Sequence, residues 1–202
     1  MSLRKTIGLG AGVALWVACL ATGFVTLQRY SAQSGPAHAP RDVAQFLTVH
    51  RAAQRPLLVM AVHPRCPCSE ASLAELGDLL ARSRGGCDAL LLQYHPEQDA
   101  ADWPADAAPT SLGGVPVKVL LDRGGKIAAM LGAATSGHVL FADARGTVRF
   151  TGGLTIGRGH RGRSPAQDAI LEIIHGGEAT LTSAPVYGCT LEPACAAPLR
   201  SE

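Results

Sequence analysis

Hydrophobic positions along this chain follow three patterns. The first is a long unbroken run. Residues 6–28 carry no charge, follow Arg4 and Lys5, and read Ile7-Gly8-Leu9-Gly10-Ala11-Gly12-Val13-Ala14-Leu15-Trp16-Val17-Ala18 and onward. About 20 apolar residues span a bilayer as a helix. A cleaved signal peptide starts in the same way, but its apolar region is usually shorter. No small-x-small site follows directly: Ala37-His38-Ala39 runs into Pro40, and Trp16-Val17-Ala18 is a poor approach to a lipoprotein site at Cys19. The run is therefore read as an uncleaved single-pass anchor. Arg4 and Lys5 are expected to hold the N-terminus in the cytoplasm. That places the remainder on the periplasmic or other outer side of an inner, cytoplasmic membrane.

The second pattern is a set of short runs bounded by turn residues, which suits buried strands. These are residues 56–62, 89–94, 115–122 and 139–143, with residues 147–150 returning as a hairpin partner after Asp143-Ala144-Arg145-Gly146. The third pattern has helical period. Leu73, Leu76, Leu79 and Leu80 form an apolar stripe directly after the first strand, and Gly85-Gly86 ends it. Shorter helices are predicted over residues 42–51, 127–133 and 166–174, while residues 95–110 are polar with room for one short helix. The alternation of strands and helices predicts an α/β sandwich whose sheet has parallel and antiparallel parts. The boundaries are residues 1–29 for the anchor, 30–41 for a Ser/Ala/Gly/Pro linker, 42–178 for one domain, and 179–202 for a C-terminal tail.

Composition narrows the function class. Hydrophobic residues make up 47% of the 202 and charged residues 17%, which fits a folded domain with one apolar segment. Net charge is only +2, and no Lys/Arg block is interleaved with aromatics, so no nucleic-acid partner is expected. The chain has six cysteines. Cys19 lies in the apolar run; Cys66, Cys68, Cys87, Cys189 and Cys195 remain, an odd number without zinc-site spacing.

Cys66 and Cys68 stand out, in His63-Pro64-Arg65-Cys66-Pro67-Cys68-Ser69 at the junction of the first strand and its helix. A helix N-terminus lowers a cysteine pKa, because unpaired N–H groups and the helix dipole favour the thiolate that attacks disulfides. Arg65 or His63 could add to that effect. The element order with this cysteine segment resembles the thioredoxin-like superfamily over residues 57–174. Within it the chain resembles the small membrane-anchored RedB-type redoxin-like proteins, through that segment together with Thr135-Ser136-Gly137-His138, Phe150-Thr151-Gly152-Gly153-Leu154-Thr155, Arg158-Gly159-His160-Arg161-Gly162 and Val186-Tyr187-Gly188-Cys189.

The resemblance implies a thioredoxin-like three-layer α/β/α sandwich with a mixed sheet, preceded by a transmembrane helix. It implies thiol–disulfide exchange on protein thiols or disulfides, without a cofactor, and with Cys66 as nucleophile. Two positions depart from the family pattern. Ser69 stands where the resolving cysteine is expected, and Gly137 lies near the usual cis-proline. Resolution is left to Cys68, to Cys189 or to an external thiol. A Cys66–Cys68 disulfide would close a small strained ring that is easily reduced. His63 is a supporting candidate beside Cys66, and His138 and His160 are supporting candidates as proton carriers or as residues that fix loop backbone. The competing class is copper(I) binding, with soft thiolates of Cys66 and Cys68 joined by His138 and His63.

Overall fold

The structure is a computed structural model that describes residues 3–38, 40, 43–52, 54–98, 103–104 and 108–191. The chain separates into two compact units, Met1–Gln33 and Ser34–Glu202.

The first unit is one helix, α1 (Leu3–Ala32). Its stretch Gly10–Ala32 has a mean hydropathy of 1.8 and is long and apolar enough to cross a membrane. Large apolar side chains such as Leu15, Trp16, Leu20 and Phe24 are all more than half exposed, so this unit buries none of them itself.

The second unit is built on a six-stranded sheet. In chain order its strands are β1 (Leu57–Val62), β2 (Asp88–His95), β5 (Lys118–Arg123), β6 (His138–Ala142), β7 (Val148–Gly153) and β8 (Ser183–Ala184). A separate small hairpin pairs β3 (Ser111–Leu112) with β4 (Val115–Pro116). The sheet order is β5-β2-β1-β6-β7-β8. β1 is parallel to β2 and β2 to β5, while β6 runs antiparallel to both β1 and β7. The sheet is thus mixed.

β1 is buried along its whole length. With helices on both faces a strand has no solvent side to alternate toward, which is why this one reads as an unbroken apolar run. Leu58, Met60 and Val62 point to one core. There they meet Leu76, Leu79 and Leu80 of α3 (Pro67–Ser83) and Ile170 of α5 (Pro165–Ile174). Leu57, Val59 and Ala61 point to the other, toward Phe46 and Leu47 of α2 (Val43–His50) and Ala128 of α4 (Lys126–Met130). The result is a helix–sheet–helix sandwich with two apolar cores.

Local chemistry fixes the element ends. Pro67 opens α3, where its missing N–H is no loss, and Arg84 closes it in the left-handed region. Ser164 caps α5 by accepting the Gln167 N–H. The buried Asp122 carboxylate accepts the N–H groups of Ile127 and Ala128, each at 2.8 Å, and so starts α4. The third long strand begins at Lys118 rather than Val115, because Val115 and Pro116 turn back on Ser111 and Leu112.

Residues 34–38, expected as linker, lie along the domain. Gly35 N–H donates to Val186 O at 2.8 Å and His38 N–H to Gly132 O at 3.0 Å. The Thr135 hydroxyl donates to Pro36 O.

Candidate active site

Cys66 is the N-cap residue of α3, set where β1 ends and the helix begins. Its backbone is extended, and the turn closes through Cys66 N–H to His63 O and Ser69 N–H to Cys66 O, each at 3.0 Å. This places Cys66 at the end of α3 whose first-turn N–H groups have no intrahelical partner. Cys66 is only 4% exposed.

Burial alone pushes the Cys66 thiol up. The polar groups around it outweigh burial, first the Cys189 thiol and N–H, then Ser69 and the Cys68 backbone. The net direction is down, which favours the thiolate. The Cys189 N–H lies 3.2 Å from Cys66 Sγ. His63 and Arg65 play a different part from the one expected. Burial and the Arg65 charge hold His63 neutral, and the Arg65 guanidinium lies over the Trp103 ring at 4.7 Å.

The neighbouring thiols take the complementary role. Burial, the hydrogen bond to Cys66 and the charges of Cys66 and Cys68 push Cys189 up to about 12. It stays a thiol and donates to Cys66. Cys68 is also raised, by burial and then by the Cys66 charge, and Arg158 opposes both effects. Arg158 therefore belongs to the site. Its guanidinium donates to Gly188 O at 2.7 Å beside the two secondary thiols. Glu75 steadies the loop that carries it, accepting the Gly162 N–H at 2.6 Å from inside α3.

Ser69 occupies the first turn of α3 with its hydroxyl 2.7 Å from that of Ser136. Ser136 also accepts the His63 N–H at 2.9 Å, and the Ser69 hydroxyl donates to His63 O at 3.1 Å. This small buried network ties the Cys66 turn to the segment before β6. Gly137 follows with φ +88°, and a Cβ there would lie 2.7 Å from the Ser72 hydroxyl of α3. Only glycine fits both that conformation and that approach.

Beside Cys66 opens a cleft of about 460 Å³ lined by residues including His63, Pro64, Arg65, Glu70 and Leu73. Nearby, His63 stacks on Tyr94 at 5.1 Å and meets the edge of Trp103 at 5.4 Å. Trp103, Ser136 and Arg158 are the contributors that sequence reasoning did not place here. The signal for Trp103 was faint: a lone tryptophan in a polar loop.

The structure brings together Cys66, Cys68, Cys189, His63, Ser69 and Gly137. It places the other two candidate histidines elsewhere. His138 is buried on the sheet face opposite α3, where its Nε2 lies 2.8 Å from the Thr151 hydroxyl. Its surroundings are Val59, Ala61, Leu92, Leu131, Ala133 and Leu140. His160 is exposed and bonds only within its own loop, through Nδ1 to Arg158 O at 3.0 Å. His138 therefore cannot join Cys66 and Cys68 around one ion. Among the described residues no group of three or more His, Cys, Asp or Glu side chains is arranged to hold a metal. Cys195 lies outside the described residues.

Thiol reactivity should follow these environments. At pH 7, Cys66 is expected to alkylate before Cys68 and Cys189. Cys87 should stay unmodified in the folded protein, because burial pushes it up to about 11. Time-resolved alkylation with peptide mapping checks the order; Cys87 reacting first would contradict it.

No protein-family model matches the chain, and no curated protein matches it. Solved structures do. A hypothetical protein from Sinorhizobium meliloti superposes with a TM-score of 0.57 at 16% identity, over 82% of this chain and 95% of its own. An uncharacterized conserved protein from Geobacillus kaustophilus gives 0.55 at 17%, over 83% and 94%. A secreted Mycobacterium tuberculosis disulfide oxidoreductase homologous to E. coli DsbE gives 0.38 at 16%, over 61% and 82%. At such identities the first two likenesses speak for the fold alone. With the parallel β1/β2/β5 half, the antiparallel β6/β7 half and the cysteine turn at the head of α3, the chain has a thioredoxin-like fold.

Proposed function

We propose that this protein is a membrane-anchored thiol–disulfide oxidoreductase acting outside the cytoplasm, similar to the RedB-type redoxin-like proteins, with Cys66 as its nucleophile. The observation that carries the reading is the convergence of donors on Cys66 Sγ at a helix N-cap, which lowers its pKa although the residue is buried. Low pKa with access from a cleft marks a working cysteine rather than an inert one. The substrates are protein thiols or disulfides, and no cofactor takes part. Residues 1–29 serve as anchor and 42–178 carry the catalytic machinery; residues 34–38 of the expected linker lie along that domain, and the segment after 178 adds β8 and brings Cys189 to the site. Arg4 and Lys5 before the apolar run support an outer location for the domain.

The full chain in detergent should accelerate glutathione-dependent reduction of a peptide disulfide in proportion to protein concentration. A rate equal to that of glutathione alone would rule out the enzymatic part. Protease added outside intact inner-membrane vesicles of known orientation tests the location. The domain should be digested only when the periplasmic face is outward.

A further inference from the structure

Residues 186–191 do not trail away from the domain. They run antiparallel beside residues 134–136, with Thr135 and Thr190 forming a β-bridge. Ser136 N–H donates to Cys189 O and Leu191 N–H to Ala134 O, each at 2.8 Å. Val186 and Leu191 are buried at the two ends of this stretch. Between them Gly188 lies so close to the wall that a Cβ would sit 2.0 Å from Ser136 O. Arg158 and Gly35 hold the outer side through Gly188 O and Val186 O. The segment thus seats Cys189 on Cys66 as an extended cysteine-containing peptide would be seated. It takes the Ala134 carbonyl and the Ser136 N–H on that edge.

We infer that residues 186–191 form a resolving strap: they fill the edge at residues 134–136 that an extended substrate strand must take, and they return after the first exchange to deliver Cys189 to the mixed disulfide on Cys66. This rests on the proposed oxidoreductase activity and assigns its second cysteine and its peptide-docking edge. One set of backbone groups cannot pair with two strands at once, so strap and substrate exclude each other.

The Cys66 thiolate attacks one sulfur of a substrate disulfide, forming a Cys66–substrate bond and releasing the other sulfur as a thiolate. Cys189 then gives its proton to that thiolate and attacks Cys66 Sγ. The Cys66–Cys189 bond forms, the second substrate thiolate leaves, and two electrons have passed to the substrate. Once Cys66 is bonded to substrate it carries no charge. The part of the upward push on Cys189 that comes from the Cys66 hydrogen bond and charge is then gone; burial remains, and Arg158 still favours the thiolate. The strap cysteine is thus least reactive while Cys66 is a thiolate and more reactive once Cys66 is loaded.

The test uses the full chain in detergent and a short extended peptide whose cysteine is disulfide-bonded to 2-thiopyridine. Thiopyridone release reads the first step, and mass spectrometry reads the second. With the wild type the peptide should be released and Cys66 joined to Cys189. Cys189→Ser should stop at the Cys66–peptide adduct, which should live at least about tenfold longer. Clearance at the wild-type rate would overturn the strap, assigning resolution to Cys68 or to external thiol. Gly188→Val lifts the strap. It should raise the first-step rate with the peptide about tenfold relative to that with 2,2′-dithiodipyridine, which needs no strand edge. An unchanged ratio would overturn the shared edge. Hydrogen exchange on the Cys189→Ser adduct needs no glycine variant. The Leu191 amide should lose protection while the Ser136 amide keeps it; protection of both would again overturn the proposal. If no variant forms any adduct on Cys66, the oxidoreductase reading itself has failed, and the strap with it.

Discussion

Cys66→Ser is expected to lower thiol–disulfide exchange by at least about 10³-fold, because removing a nucleophile leaves only binding and positioning behind. A serine hydroxyl does not ionise at neutral pH and gains nothing from donors built to hold a thiolate. Cys68→Ser should stay within about tenfold of wild type, because the substitution leaves the local backbone and the Cys189 N–H on Cys66 Sγ in place. The comparison separates two cysteines that sit two residues apart. Initial rates of peptide-disulfide reduction for both variants provide the check. Equal losses would mean that the pair acts as a Cys-x-Cys unit.

The second large effect concerns stability rather than activity. His138 is 2% exposed, and burial lowers its pKa from 6.5 to about 4. Its neighbours are aliphatic apart from the Thr151 hydroxyl, and Nδ1 has no partner among the described residues. The folded protein therefore holds this ring neutral, whereas the unfolded chain protonates it near pH 6.5. A depressed folded-state pKa contributes stability above the unfolded value, and that contribution is lost as pH falls toward the folded value. Between pH 7 and pH 4 the loss attributable to His138 should be about 3 kcal/mol. Denaturant unfolding of wild type and His138→Gln across that range isolates it. The wild type should lose about that much more than the variant on acidification. Parallel curves would mean that the imidazole is protonated in the folded state.

Much of this fold was legible because its central elements bury both faces. Residues 56–62 allow no alternation, so a sandwiched strand was the natural reading, and the leucine stripe after it could only be a helix packed on that strand. The placement of Cys66 followed from their junction. What escaped was whatever depends on parity or on distance along the chain. His138 stands one residue before Val139, and which of the two faces α3 is set by how β6 pairs with β1. Nothing in residues 135–138 reveals that. The segment at 115–116 read as strand because valine and proline extend readily, but Pro116 lacks an N–H to donate and belongs to a two-residue edge hairpin.

The partner of Cys66 was least legible. Cys68 is its neighbour in sequence, and Cys189 is 123 residues away. Only the folding-back of residues 186–191 gives Cys189 both a thiol and an N–H on the same sulfur. The family-like motif at residues 186–189 marked the segment without saying where it goes. Arg158 illustrates the same point. One of three arginines in a glycine-rich loop, it was indistinguishable in sequence from Arg161 and Arg163. Glu75 and Gln167 fix that loop from beneath, and one arginine is turned toward the thiols.

The most direct measurement is a redox titration of the full chain in glutathione buffers of stepped potential, quenched by alkylation and read by mass. Two thiols should disappear together in one two-electron step, peptide mapping should find Cys66 joined to Cys189, and Cys66→Ser should abolish the step. If Cys66 stays reduced across the whole range of potentials, the central claim that it is a redox nucleophile is wrong.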